Sequence, residues 1–391
     1  MAFPTGWNRK CKLTLRAARV SGGTPGNEIA KLWWNGTEAD SNIPLEMVDA
    51  DGSYPAQDGG GDIRVTLDEA GTQLTYIHIR SFETDNNPAN ARAEIAVDVG
   101  TLNTSTDVEV WVWYNTAGSE SQPAADALGG YEGVYSICFA ACPLDENTGD
   151  FNDWSENGAD ATANGGLPDR VAGEVTRYEQ DCDGAGDYGN FASNGLSTGA
   201  EDVVVFSIWV TPRAADAYLP LFGSVSDTND GDFSFYIDTE FDEIGGGVVG
   251  NDPDFSDFTQ AFTIGDQYHI AIRYRADTEQ AEFYVNGDSK GTENFDLAFG
   301  LRLQEAVRFA RDNFSDYFDG EIDELLIINT TKGDNWIKTY YRLWSDPAYD
   351  ASSHPDGFII VGTPESTGGD DEELEHDIYR GARRGILRGV A

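Results

Sequence analysis

Positive charge is the scarcest commodity in this chain. Its 391 residues carry 25 Lys and Arg against 69 Asp and Glu, for a formal net charge of -44. Only six lysines occur: Lys10, Lys12, Lys31, Lys290, Lys332 and Lys338. Phosphate backbones require positive charge, so nonspecific nucleic-acid binding is disfavoured. Self-repulsion of this size must be screened, and a salt-rich habitat is the most economical expectation. An ordinary acidic surface protein is the plainer alternative. Long apolar runs are missing too. No stretch approaches the roughly 18 apolar residues of a membrane span, so no membrane insertion is expected. The start, Met1 to Lys10, lacks the charged-then-apolar pattern of a secretory signal, which implies synthesis in a host cytoplasm without export by that route. The four cysteines, Cys11, Cys138, Cys142 and Cys182, show no paired CxxC spacing. Buried thiols are expected, with a disulfide from Cys182 to Cys138 or Cys142 as the other reading.

What is present is glycine, aromatics and alternation. The 44 glycines and 12% aromatic content suit an all-β protein with many tight turns, and few stretches have helical periodicity. The length exceeds one ordinary core, so two antiparallel β-sandwich (jelly-roll) domains with a short C-terminal tail are expected. The first unit runs over 1–117, with alternating strands at Lys12–Arg16, Leu74–Arg80 and Val108–Tyr114 and a glycine turn at Gly59–Gly61. A polar linker is expected at 118–127 and a second unit at 128–362. Within the second, Val203–Val210, Phe233–Asp238, Tyr268–Tyr274 and Ala281–Val285 read as strands, and Asn286-Gly287 as a type I′ hairpin turn. A buried strand follows the Gly320 turn, then a short aromatic helix around Trp336–Tyr341 and a last apolar strand at Phe358–Gly362. An acidic hinge and a basic tail occupy 363–391. There Arg380, Arg383, Arg384 and Arg388 are expected to dock on an acidic neighbour, unless the tail simply frays.

Several ordered motifs resemble known families. Gly6-Trp7-Asn8-Arg9, then Gly61–Thr66, then Val110–Asn115 are similar to a bacterial and archaeal β-sandwich family of unassigned function, DUF2341. The order of Val203–Val210, Ala281–Asp288 and Asp319–Asn329 resembles a laminin-G-like, concanavalin-A-like jelly roll, which covers the second unit. That resemblance implies a surface-binding sandwich. It also implies calcium or another structural cation, held by Asp323 at the terminal strand with Asp319 as a second candidate.

Catalytic constellations are thin. Glycan-cleaving jelly rolls align three carboxylates on one strand face. In Glu321-Ile322-Asp323-Glu324 strict alternation puts Glu321 and Asp323 on one face, followed by Leu325, and turns Glu324 the other way. No Gly-x-Ser-x-Gly elbow is present, and His78 and His269 lie in apparent strands as structural residues. No enzyme activity is expected. Sugar binding needs aromatic platforms beside hydrogen-bonding groups. Trp33 and Trp34 are candidates, since adjacent strand residues face opposite ways and one of the two can lie outside the core, and Trp154, among Asn152, Asp153 and Asn157, is another; Trp111 and Trp209 read as core. The combined expectation is a virion structural protein, a capsid turret or decoration or a tail fibre, of a halophilic tailed virus. It would form homo-oligomers, attach through its tail to other virion proteins and display a lectin-like domain to a host-surface glycan or protein. The alternative is a cellular extracellular glycan-binding protein or glycoside hydrolase.

Overall fold

The structure is a computed structural model that describes residues 3–367, apart from 23–27, 39–40, 166–168, 173–177, 198, 200, 216, 226–231, 249–253, 295–299, 313–315, 330–331 and 346–356. Arg380, Arg383, Arg384 and Arg388 lie outside the described residues. Among the described residues, four antiparallel sheets stack in sequence, and one α-helix packs between the second and third.

The first sheet places Trp7–Leu15 beside Val108–Thr116, with Arg64–Thr66 on the far side. Cys11 and Leu13 face Val112 and Val110 across the ladder and are buried, which puts Lys10, Lys12, Trp111 and Trp113 on the opposite face. Trp111 is therefore buried outside the sandwich core. It packs with Trp7, Trp113 and Phe3, and Lys10 Nζ lies 4.7 Å from its ring centroid. The second sheet has three strands, Ile29–Trp34, Arg92–Asp98 and Ile77–Glu83.

The chain's last strands do not stay with the second unit, as the boundary at 362 supposes. Ile359–Val361 pairs with Leu13–Leu15, and Glu365–Ser366 with Arg9–Lys10, so they complete the first sheet. A short apolar strand records in its sequence that it is buried, but not against which edge. Segment 118–127 has no regular structure; Arg64 Nη2 donates to Ser121 O at 2.8 Å and ties it to the first unit.

The third sheet runs in the order Asp288–Asn294, Gln280–Val285, Tyr268–Arg275, Val203–Pro212, Asp319–Ile328, Tyr178–Asp183 and Asp169–Ala172, with Cys138–Cys142 against the end of Asp319–Ile328. The fourth sheet opposes it, with Asp254–Thr259, Glu243–Val248, Phe233–Asp238, Tyr218–Ser224, Val307–Phe309, Tyr188–Phe191 and Ala161–Asn164. Phe206, Phe222, Phe235, Ile272, Phe283, Phe309 and Ile327 fill the space between them. Asn286 and Gly287 both have positive φ, 52° and 75°, and Val285 pairs with Asp288, which is the expected I′ hairpin.

Helix α1 spans Asp334–Ser345. Trp336, Tyr340 and Trp344 recur at four-residue spacing on one face, and each ring lies over the next, at 5.2 and 5.6 Å between centroids. One continuous core contains these residues, Leu32 and Ile95 of the second sheet, and Val205, Trp209, Ala271 and Leu326 from the outer face of the third. The two sandwiches are thus fused through a shared apolar layer. All four cysteines are buried and unpaired, and burial raises each thiol; Cys11 reaches about 12.

Candidate functional site

Between the sandwiches, the outer face of the second sheet carries polar residues that alternation forces away from its own core: Lys31, Trp33, His78, Arg80 and Glu94. The third sheet answers with Asp323 and Glu324. A β-bulge opposite Ile208 makes this possible, with Glu324 at φ 48°. Strict alternation would turn Glu324 into the jelly-roll core. Instead the bulge shifts the phase, so Leu325 and Ile327 point into that core, Leu326 and Ile328 point out, and Glu324 reaches the seam. The face assignment made from alternation is therefore corrected at Glu324 and Leu325. Arg80 donates to Glu94 Oε1 at 2.9 Å, Glu324 Oε1 at 2.7 Å and Tyr135 Oη at 2.9 Å. Burial raises the Glu324 carboxyl against the pull of Arg80.

One end of the seam opens into a cavity of about 500 Å³. Lys31 and Trp33 line it from the first sandwich. Trp209, the Gly265–Tyr268 loop and Asn286 line it from the second, and Tyr341, Trp344 and Ser345 from α1. Trp33 is half-buried, with Lys31 Nζ 4.0 Å from its ring centroid. Burial lowers Lys31 to about 8 against the opposing pull of Glu94 and Asp323, which leaves it charged at neutral pH. Trp209 stacks on Tyr341 at 5.6 Å and 27°. Trp33 Nε1 and Trp209 Nε1 are buried donors without a hydrogen-bond partner among the described residues. Asn286 Oδ1 accepts from His269 N at 2.9 Å, which fixes the amide at the cavity wall. His269 Nε2 and Ser207 Oγ are hydrogen-bonded at 2.9 Å, and burial lowers the His269 pKa to about 3, which keeps this ring beside Trp209 uncharged. The site combines aromatic side chains, two of them with unpartnered indole donors, and a few polar groups, within the size range of small-molecule pockets.

The expected site residues separate on this geometry. Trp33 lines the cavity. Trp34 is in the core, 2% exposed, with Nε1 bonded to Pro88 O at 2.9 Å. Trp154 is half-buried and lies apart from the residues lining this cavity, 4.4 Å from His78 and 4.8 Å from Tyr131 between ring centroids. Trp209 is buried as expected, yet on the outer face of its sheet, where it lines the cavity. Tyr341 and Trp344 were not singled out, because only the folded chain brings α1 beside Trp33. The cation expectation does not fit the residues present. Asp319 is paired with Arg213 at 2.9 Å, Asp323 is fully buried in the seam, and no group of three or more His, Cys, Asp or Glu is arranged for a metal among the described residues.

Comparison with known proteins places the second sandwich. Residues 183–338 match the family model described as the Concanavalin A-like lectin/glucanases superfamily. A search of curated proteins returned no match. Among solved structures, the receptor binding domain of botulinum neurotoxin C/D mosaic serotype is similar at 14% identity, covering 54% of this chain and 55% of that one, with a TM-score of 0.41. Domain 4 of AbnA, a GH43 extracellular arabinanase from Geobacillus stearothermophilus solved with arabinotriose, is similar at 15% identity, covering 52% of this chain and 98% of that one, with a TM-score of 0.42. The botulinum neurotoxin serotype D binding domain matches at 13% identity over 53% of this chain and 51% of that one, with a TM-score of 0.41. The chain spans about half the length of the neurotoxin binding domains it matches. Residues 183–338 are a laminin-G-like, concanavalin-A-like jelly-roll domain.

Proposed function

We propose that the protein is a non-enzymatic adhesive module that holds a saccharide in the cavity between its two sandwiches. The observation that carries this reading is the pairing of aromatic faces with two buried, unpartnered indole donors at Trp33 and Trp209. Sugars present apolar faces rimmed by hydroxyls, which suits such a lining. Glycosidase chemistry needs two carboxyls flanking the scissile bond. Asp266 is the one carboxylate lining this cavity among the described residues, which supports binding over cleavage.

In its specific form, the module sits on the surface of a virion as a capsid turret, decoration or tail fibre of a tailed virus in a salt-rich habitat, and meets a host-surface glycan. The net charge of -44 supports the habitat, and the lectin-like fold supports the attachment role. Closed homo-oligomers would convert weak single-site contacts into avidity, with the basic C-terminal segment holding other virion proteins. Mass spectrometry of purified particles tests the location: stoichiometric presence is expected, and absence overturns it. A saccharide array with wild type and Trp33→Ala tests the binding role, with loss of the bound signal expected in the variant.

A further inference from the structure

The seam between the sandwiches holds a second cavity, of about 370 Å³. Arg80, Ser81 and Glu94 line it from the second sheet, and Asp145 and Arg170 from the second sandwich. A β-bulge shapes the first of these walls. Ile79 pairs with Ile95 and Ser81 with Glu94, so Arg80 is the extra residue and Ser81 joins Glu94 on the outer face of its sheet. On the opposite wall Arg170 Nη1 donates to Asp145 O at 3.2 Å.

Strand register sets this cavity beside the one at Trp33. In the second sheet Trp33, Glu94 and Ser81 are direct cross-strand partners. Trp33 lines the first cavity and Ser81 the second, two strand spacings or about 10 Å apart. The third sheet repeats the arrangement. Tyr268, Val210, Ile322, Gln180 and Arg170 form one row across it, with Tyr268 at the first cavity and Arg170 at the second. Both cavities therefore sit at one level of the seam. Trp344 of the first and Arg80 of the second meet between them, with the guanidinium carbon 5.0 Å from the ring centroid.

The two ends of this line share a chemical feature. Trp33 Nε1 at one end, and Ser81 Oγ and Arg80 Nε at the other, are buried without a hydrogen-bond partner among the described residues. Buried polar groups are normally hydrogen-bonded, so each of these atoms can serve a ligand. The second cavity sets Arg80 and Arg170 against Glu83, Glu94 and Asp145, and so offers no excess of positive charge to an acidic sugar. Its donors and acceptors suit neutral hydroxyls. We propose that the two cavities are subsites of one site, and that the ligand is a neutral oligosaccharide. The aromatic side chains of the first cavity hold one end, while Ser81, Arg80 and Asp145 bond hydroxyls at the other. This inference rests on the saccharide reading of the first cavity and adds that a single sugar unit is too short to fill the site. A chain that reaches both subsites makes the second contact intramolecularly, so affinity climbs with length until both are filled.

The test is titration calorimetry of cello-, xylo-, arabino- and malto-oligosaccharides, each from di- to hexasaccharide, on wild type, Ser81→Ala, Asp145→Ala and Trp33→Ala. At least one series should bind wild type, with the hexasaccharide at least about tenfold tighter than the disaccharide. Asp145→Ala should abolish most of that gain and leave the disaccharide affinity unchanged, and Ser81→Ala should remove part of it. Trp33→Ala should weaken every length. Ser81→Ala deletes only a hydroxyl without a partner, so its thermal midpoint should equal or exceed that of wild type, which separates lost binding from lost folding. Equal affinity for di- and hexasaccharide, with Trp33→Ala weakening both, overturns this proposal and leaves the reading of the first cavity standing. A length gain that survives both Asp145→Ala and Ser81→Ala overturns it as well. No binding of any series to wild type overturns the neutral-oligosaccharide assignment.

Discussion

Glu324 shows how one backbone angle can join two domains. At φ 48° it sits in a region that costs a non-glycine residue about 1–2 kcal/mol, and the return is a carboxylate aimed at Arg80. Removing Glu324 leaves Arg80 paired with Glu94 but takes away its second buried carboxylate and a charge-assisted hydrogen bond. Glu324→Ala should therefore destabilise the protein by about 1.5–3 kcal/mol in urea unfolding. A loss under about 1 kcal/mol would mean the seam is wet and weakly coupled. His269 gives a pH-dependent counterpart. Burial holds it near 3, whereas the unfolded chain protonates it from about 6.5 downward. The unfolded state thus binds the extra proton between those values. Stability from this group is complete above about 6.5 and is lost as pH falls, by up to about 1.4 kcal/mol per unit. His269→Gln should remove that one-proton slope between pH 6 and roughly 4, as read from urea midpoints against pH. An unchanged slope would contradict the buried neutral state.

At the scale of elements, the strand Ile359–Val361 reveals the most about chain order. It returns from the second sandwich to the edge of the first sheet, so the first sandwich cannot close until residues far along the chain arrive. Ile359 is 1% exposed, and Ile359→Ala should cost about 2–5 kcal/mol, with the loss centred on the first sandwich in hydrogen exchange. Protection lost only in the second sandwich would refute that assignment. Local signals were legible in the sequence: the Asn286-Gly287 turn, the alternating strands and the aromatic helix all depend on neighbours a few residues apart. The bulge at Glu324 was not legible, because a one-residue phase shift leaves no mark in residue type. The cavity was half legible. Trp33 shows itself as one of two adjacent strand tryptophans, but its partners Trp209 and Tyr341 are joined to it only by tertiary packing.

For the whole molecule, the decisive quantity is charge. A net -44 on one compact stack of four sheets favours expansion wherever it is unscreened. The screening length shrinks from about 10 Å at 0.1 M salt to about 3 Å at 1 M, so the thermal midpoint should rise steadily with KCl. A midpoint independent of salt would remove the argument for a salt-rich habitat. The same charge accounts for the many arginines that are committed to carboxylate pairs.

Saccharide binding by the intact chain is the measurement that reaches the centre of this account. Titration of an array-selected neutral oligosaccharide into wild type and Trp33→Ala, with circular dichroism confirming equal folding, should give saturable binding to the first. The variant should bind at least about tenfold more weakly, since an aromatic platform of this kind contributes on the order of 1–3 kcal/mol. Identical isotherms for the two proteins, or an array on which no neutral saccharide binds, would contradict it.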